Sequence, residues 1–373
     1  MKKIFATILC TILIVLCSCS EKAPSEQKGE DVFSPVVSDK TDENGAEEMP
    51  QPEIEEPDTP VEPEVEKTEI SKLTGLPITV EESVVRPVAV VLNNHKKALP
   101  QAGIGDADVV WEFNMEGGIT RLVALYSDIS KVGELGAVRS ARDYFLDAAG
   151  FFDAILVHAG ASEYFYAEDK ASGYDNIDEV NMHSIPSDTF WRNSEKRYSR
   201  GYEHCLETSG EKLVKAFESQ NYKTDTDLVK SPFDFYSEFT VPDGKDARVV
   251  TLAHSSYITP RFTYNADDHR YYKESYDSPH IDETTGEAVA FENLIVLFAS
   301  QKVIDDYLRL DIDLERGGEG ILISAGKSVD IKWSRSGTSL VLTTDGGDDV
   351  MLNPGKTHIT VFDKSHKNGI TIK

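Results

Sequence analysis

From Glu21 to Lys72 the chain carries 17 acidic and 5 basic residues, few large apolar ones, and seven prolines (Pro24, Pro35, Pro50, Pro52, Pro57, Pro60, Pro63). Such a stretch cannot bury enough apolar surface to offset the entropy lost on ordering, so disorder is expected. Like-charge repulsion and proline keep it extended, and at roughly 3 Å per residue it reaches on the order of 100 Å. Folding is thereby confined to the roughly 300 residues downstream, enough for two domains with real cores.

Ahead of this stretch, Lys2 and Lys3 precede an apolar run from Ile4 to Leu16 and then Cys17-Ser18-Cys19. A charged start, a short apolar core and a small residue before cysteine describe a lipoprotein signal peptide over residues 1–18. The run is shorter than the roughly 20 residues a membrane-spanning helix needs. Cys19 is the expected lipid-attachment residue; Cys17 is a poorer one, because bulky Leu16 precedes it. The expected location is the outer face of a bacterial cytoplasmic membrane, with residues 19–70 as a tether. The formal charge of -27 argues against nucleic acid, whose phosphates would be repelled. Beyond the signal peptide and Cys19 only Cys205 remains, so neither a disulfide framework nor a cysteine zinc cluster is expected. Cys205 reads as a small buried hydrophobe. No cofactor or metal is expected.

In residues 71–222 strand-like and helix-like patterns alternate. Arg86–His95 is a buried strand ending in Asn93-Asn94-His95, and Asp108–Glu116 is a second strand. Gly117-Gly118 turns the chain into a third strand, Ile119–Tyr126. A helix is expected from Ser140 to about Phe151, a strand over Ala154–His158, a helix from Glu163 to Lys170, and a capped helix after Thr208-Ser-Gly-Glu211. Residues 223–246 read as a linker. Residues 247–373 show eight short strand-like runs, many separated by turn signals such as Asp345-Gly346-Gly347 and Asn353-Pro354-Gly355. The expected class is α+β: an N-terminal three-layer α/β-type domain followed by a mainly antiparallel β C-terminal domain.

Three features can carry chemistry. Arg139-Ser140-Ala-Arg142 places two cations at an expected helix start, where the macrodipole disfavours them and free N–H groups attract anions. A bound carboxylate or phosphate would explain them, with Ser140 capping or donating; pairing with Asp143, Glu112 or Glu116 is the structural alternative. Polar residues also collect at strand ends (Asn93, Asn94, His95, His158), where open α/β sheets gather ligands, and His204 adds a further candidate. Glu112 and Glu116, with Arg121 nearby, alternate on one strand roughly 13 Å apart, too far for a glycosidase carboxylate pair. Gly320–Ser328 resembles a P-loop but has one residue too many, and its interior reads as a strand.

Leu73-Thr-Gly-Leu-Pro77, Arg86-Pro-Val-Ala-Val90, Glu116-Gly-Gly-Ile-Thr-Arg121, Val138-Arg-Ser-Ala-Arg-Asp-Tyr144 and Val157-His-Ala-Gly160 together resemble the YerB-like lipoprotein family. In the second half, Asp282-Glu-Thr-Thr-Gly286, Asn293-Leu-Ile-Val296, Lys302-Val-Ile-Asp305 and Leu352-Asn-Pro-Gly-Lys356 resemble that family's C-terminal domain. One departure is His204-Cys205-Leu-Glu207-Thr208-Ser209, where the family pattern has Asn and Tyr in place of Cys205 and Glu207. The resemblance implies a bacterial surface lipoprotein of two domains and implies no reaction.

The leading expectation is a tethered binding or accessory module for an anionic envelope ligand, such as peptidoglycan or teichoic acid. Arg121, Arg139 and Arg142 would fix the charge, with Ser140, Asn93, Asn94, His95, His158 and His204 around them. The first alternative is a wall-modifying hydrolase with His158 or His95 as base and Glu112 or Glu116 as acid. The other is a structural interaction protein without a ligand.

Overall fold

Runs of apolar residues without alternation make strands that are buried on both faces. The computed structural model describes residues 67–167, 173–227 and 229–373. The expected signal peptide, Cys19 and almost all of the expected tether lie outside the described residues, as does the end of the expected 163–170 helix.

The large sheet comprises, in chain order, β1 (Val88–Asn93), β2 (Val109–Asn114), β3 (Thr120–Tyr126), β4 (Ile155–His158), β5 (Asn176–Asp178), β6 (Lys245–Asp246), β7 (Asn293–Val303), β8 (Leu310–Asp313), β9 (Gly318–Ser324), β10 (Lys327–Ser336), β11 (Ser339–Thr344) and β12 (Thr357–Asp363). Their order is β6-β10-β9-β7-β12-β2-β3-β1-β4-β5, with β8 on β7 and β11 on β10. β2 and β3 form the expected hairpin around Gly117-Gly118. β12 lies between β7 and β2 and runs parallel to both, so one sheet passes through both halves of the chain. A second, antiparallel sheet holds Val249–Leu252, Arg261–Asn265 and Arg270–Ser275, joined at its edge by Ile370–Ile372. The fold is thus mixed and strand-rich with few helices, and antiparallel pairing dominates the C-terminal half.

Both faces of the large sheet are covered. Ala89 and Val91 of β1 join a cluster with Phe145 and Phe152 on one face, while Val88, Val90 and Leu92 join Leu213 and Phe217 on the other. Helix α1 (Asp143–Gly150) supplies the first set's Phe145, and α2 (Gly210–Gln220) supplies Leu213 and Phe217. Each cluster mixes both halves of the chain: Phe145 with Ile295 and Leu352 in one, Phe217 with Val250 and Phe262 in the other. Cys205 is buried as expected.

The structure revises several local readings. α1 begins at Asp143, three residues later than expected, and Arg142 occupies its N-cap without a side-chain cap bond. The capping box ahead of α2 does not form: Thr208 Oγ1 donates instead to Thr189 O (2.8 Å). α2 starts there because Gly210 lets the chain pass close to the carbonyls of Ile129 and Val132; a Cβ would sit 1.9 Å from Ile129 O. The stretch read as a linker is packed into the fold. Asp234–Phe235 pairs with Met351–Leu352, Phe233 is buried, and β6 extends the large sheet. Thr68–Ile70, read as the end of the tether, pairs with Pro77–Thr79.

Candidate functional site

The segment between Gly136 and α1 is threaded against two strand ends. Asn93 N–H donates to Ala137 O (2.9 Å), Arg139 N–H to Val91 O (2.9 Å), and Ala159 N–H to Arg139 O (3.0 Å). This extended backbone fixes Arg139 beside the end of β1 and leads Arg142 to the start of α1. Arg121, opposite Asn93 on β3, reaches the same segment, its Nη1 donating to Ser140 O (2.7 Å).

Three guanidinium groups therefore stand close together. Arg121 is 4% exposed and Arg142 7%. Arg142 pairs with Glu116 and also donates to Ala141 O (2.8 Å), while Arg139 bonds Glu203 (3.3 Å), an exposed acid. The Nε of each of the three arginines lacks a hydrogen-bond partner among the described residues. Burial, followed by the neighbouring charges of Arg142 and Arg139, lowers the Arg121 pKa to about 9. A buried guanidinium in this setting gains from an added anion.

Beside Arg139, His204 stacks on His95 with ring centroids 4.8 Å apart. Asn93 ties the pair together: its Oδ1 accepts the His95 N–H (3.0 Å), and its Nδ2 lies 2.9 Å from His204 Nδ1. Burial first, then cations including Arg139, lower the pKa of both histidines, which keeps them neutral at pH 7.

The other expected residues stand apart from this arrangement. Ser140 caps nothing; its Oγ donates to Ala159 O (2.9 Å). His158 is wholly buried, with Nδ1 2.9 Å from Gly160 O and Nε2 3.3 Å from Asn176 Oδ1, so neither nitrogen is free for base chemistry. Asn94 is buried and serves Glu112 rather than a recess. Glu116 lies in the turn after β2, not on the strand, and is committed to Arg142. Glu112 is fully buried.

Glu112 belongs to a polar network that sequence reasoning missed. Its Oε2 accepts from Lys273 Nζ (2.6 Å) and lies 3.1 Å from His358 Nε2, while Oε1 accepts from Thr120 Oγ1 (2.6 Å) and Asn94 Nδ2 (3.2 Å). Nearby, His280 Nε2 sits 2.5 Å from Gln101 Oε1. Burial raises the Glu112 pKa, but the Lys273 ammonium and the His358 bond outweigh it and hold the carboxyl well below its usual range. A signal for Lys273 existed. Tyr271, Lys273 and Ser275 alternate onto one face of their strand, and that face is buried.

Burial, followed by the Lys273 charge, lowers His358 to about 4 and His280 to about 3; burial likewise lowers His254 to about 4. These histidines are neutral when folded and protonate near pH 6.5 when unfolded. Their contribution to stability is complete above pH 6.5 and is lost as pH falls toward the folded values. Urea unfolding should show stability nearly level from pH 7.5 to about 6.5 and then falling toward pH 5, with a slope approaching about 1.4 kcal/mol per pH unit for each histidine. A flat profile over that window would contradict their burial.

Comparison with known proteins places the chain. Residues 73–223 match the N-terminal domain, and residues 248–359 the C-terminal domain, of a protein family of unknown function, DUF3048. The chain belongs to the DUF3048 family. The Bacillus subtilis (strain 168) protein described as "Putative lipoprotein YerB" is 34% identical over 302 residues, 80% of this chain and 88% of that protein. The crystal structure of YerB from Bacillus subtilis matches with a TM-score of 0.72 at 31% identity, covering 82% of this chain and 99% of that one. Within the DUF3048 frame, the three arginines and the stacked histidines all lie in the N-terminal segment. The Glu112 network joins the two segments, through Lys273 and His358 of the C-terminal one.

Proposed function

We propose that this chain is a lipid-anchored module on the outer face of the bacterial cytoplasmic membrane that binds an anionic ligand of the envelope. Cys19 carries the lipid, residues 19–70 form the tether, and peptidoglycan carboxylates or teichoic phosphates supply the anion. The lipoprotein description of the Bacillus relative supports the anchor. The observation that carries the binding role is the clustering of Arg121, Arg139 and Arg142, three cations against two paired acids among the described residues. Only Glu116 and Glu203 form ion pairs with them among those residues, so a positive charge is left over on a strongly acidic protein. Metal or cofactor chemistry plays no part in this reading. The hydrolase alternative draws no support from Glu112 or His158, whose polar atoms are already engaged.

Titration calorimetry with inorganic phosphate and with acetate tests the reading. Saturable binding of one or both is expected. Arg139→Glu should weaken it at least about tenfold, roughly 1.4 kcal/mol, while leaving the urea midpoint near that of the wild type, because Arg139 is half-buried and its ion pair among the described residues is with an exposed acid. Equal affinity in Arg139→Glu, or no binding by the wild type, would refute the reading.

A further inference from the structure

The stacked histidines continue into a row of rings that crosses from one family segment to the other. His95 lies 5.8 Å from Tyr257 with planes 30° apart, and Tyr257 meets Tyr276 edge-on at 5.5 Å. The row is held rather than loose. His95 Nδ1 accepts the Lys97 N–H (3.1 Å), so Nε2 carries the proton and donates to Tyr257 Oη (3.0 Å). Tyr276 Oη donates to Asn94 O (2.8 Å). Tyr257 is nevertheless 43% exposed. His204 accepts at Nδ1 from Asn93, which leaves its Nε2–H without a partner among the described residues.

Cations flank this row. Lys96 and Lys97 are exposed, and neither forms an ion pair among the described residues. The Lys96 ammonium lies 6.0 Å from the Tyr276 centroid. Arg139 adds a third cation at the His204 end, against the single acid Glu203. A local positive surface on a chain of charge -27 runs against the composition. Flat, neutral, partly exposed rings offer an apolar face with polar edges. Cations beside them add charge selection.

We propose that this row of rings, next to the arginine trio, stacks a pyranose ring, so that the ligand is a sugar bearing a carboxylate or phosphate group. The inference rests on the anion-binding reading above and adds the sugar to it. The C–H face of the ring lies on His95 and Tyr257. The His204 Nε2–H donates to a ring hydroxyl, and the acidic group reaches Arg139. An anionic membrane surface fits less well, because the rings are tied down by hydrogen bonds and the rest of the chain repels anionic lipid.

The test is calorimetry on the full-length protein with N-acetylmuramic acid (carboxylate), N-acetylglucosamine 1-phosphate, uncharged N-acetylglucosamine, inorganic phosphate, and phosphatidylglycerol vesicles. At least one charged sugar should bind about tenfold or more tightly than both inorganic phosphate and the uncharged sugar. The better of the two charged sugars identifies the source of the anion. Tyr257→Ala should remove that tenfold advantage and leave phosphate affinity unchanged, while Tyr257→Phe should retain most of it. If charged sugars bind no better than inorganic phosphate, or Tyr257→Ala changes nothing, the sugar proposal fails while anion binding stands. Preference for vesicles over sugars would also overturn it. Failure of every anion to bind would end both readings.

Discussion

Replacing Lys273 with methionine is expected to remove about 3–5 kcal/mol of folding stability, because the Glu112 carboxylate is left buried without its counter-charge. Both side chains are almost completely excluded from water, at 1% and 0% exposure, so solvent screening cannot soften the loss. Two further measurements separate this cause from simple loss of packing. The deficit relative to the wild type should narrow as pH falls from 7 to 5, since a proton taken up by Glu112 or His358 replaces the missing charge. Removing both partners together, as Glu112→Leu with Lys273→Met, should recover much of the loss, as apolar replacements of buried ion pairs commonly do. Urea unfolding of the four proteins closes the cycle. A single-variant loss below about 1 kcal/mol would mean that the pair is more hydrated than its burial indicates.

Separating the halves should have a still larger effect. A fragment of residues 67–230 loses β12 from its place beside β2, which exposes a strand edge, and it keeps Glu112 without Lys273 or His358. A fragment of residues 231–373 loses the apolar partners that β1, α1 and α2 provide in both clusters. Neither fragment is expected to unfold cooperatively alone, and mixing them should restore a urea transition. A cooperative transition in the first fragment by itself would show that the shared sheet is dispensable.

The regular elements were legible because their pattern is local. Val88–Asn93, Val109–Asn114 and Thr120–Tyr126 announce themselves as apolar runs, and glycines mark the turn between the last two. The parallel insertion of β12 was not legible, since nothing in His358–Phe362 records which strands flank it. Arg139 and Arg142 stood out because cations are unusual beside a helix start, and Arg121 as a cation near Glu112 and Glu116; the fold brings the three together. His158 misled for a physical reason: a polar residue closing a buried strand can face inward as readily as outward, and its ring is used by Gly160 and Asn176. Lys273 was passed over because a single charged residue in an alternating strand is ordinarily assigned to solvent, and its partner lies on a distant part of the chain.

The placement of β12 also governs when the protein can finish folding. Val109 pairs with Thr357, about 250 positions further along, so contact order is high and closure of the sheet's middle is slow. While the chain is being made, β2 waits with one side unmatched until that late segment arrives. The unmatched side of β2 is therefore the longest-lived exposed edge on the way to the native sheet, and seating one late strand covers it.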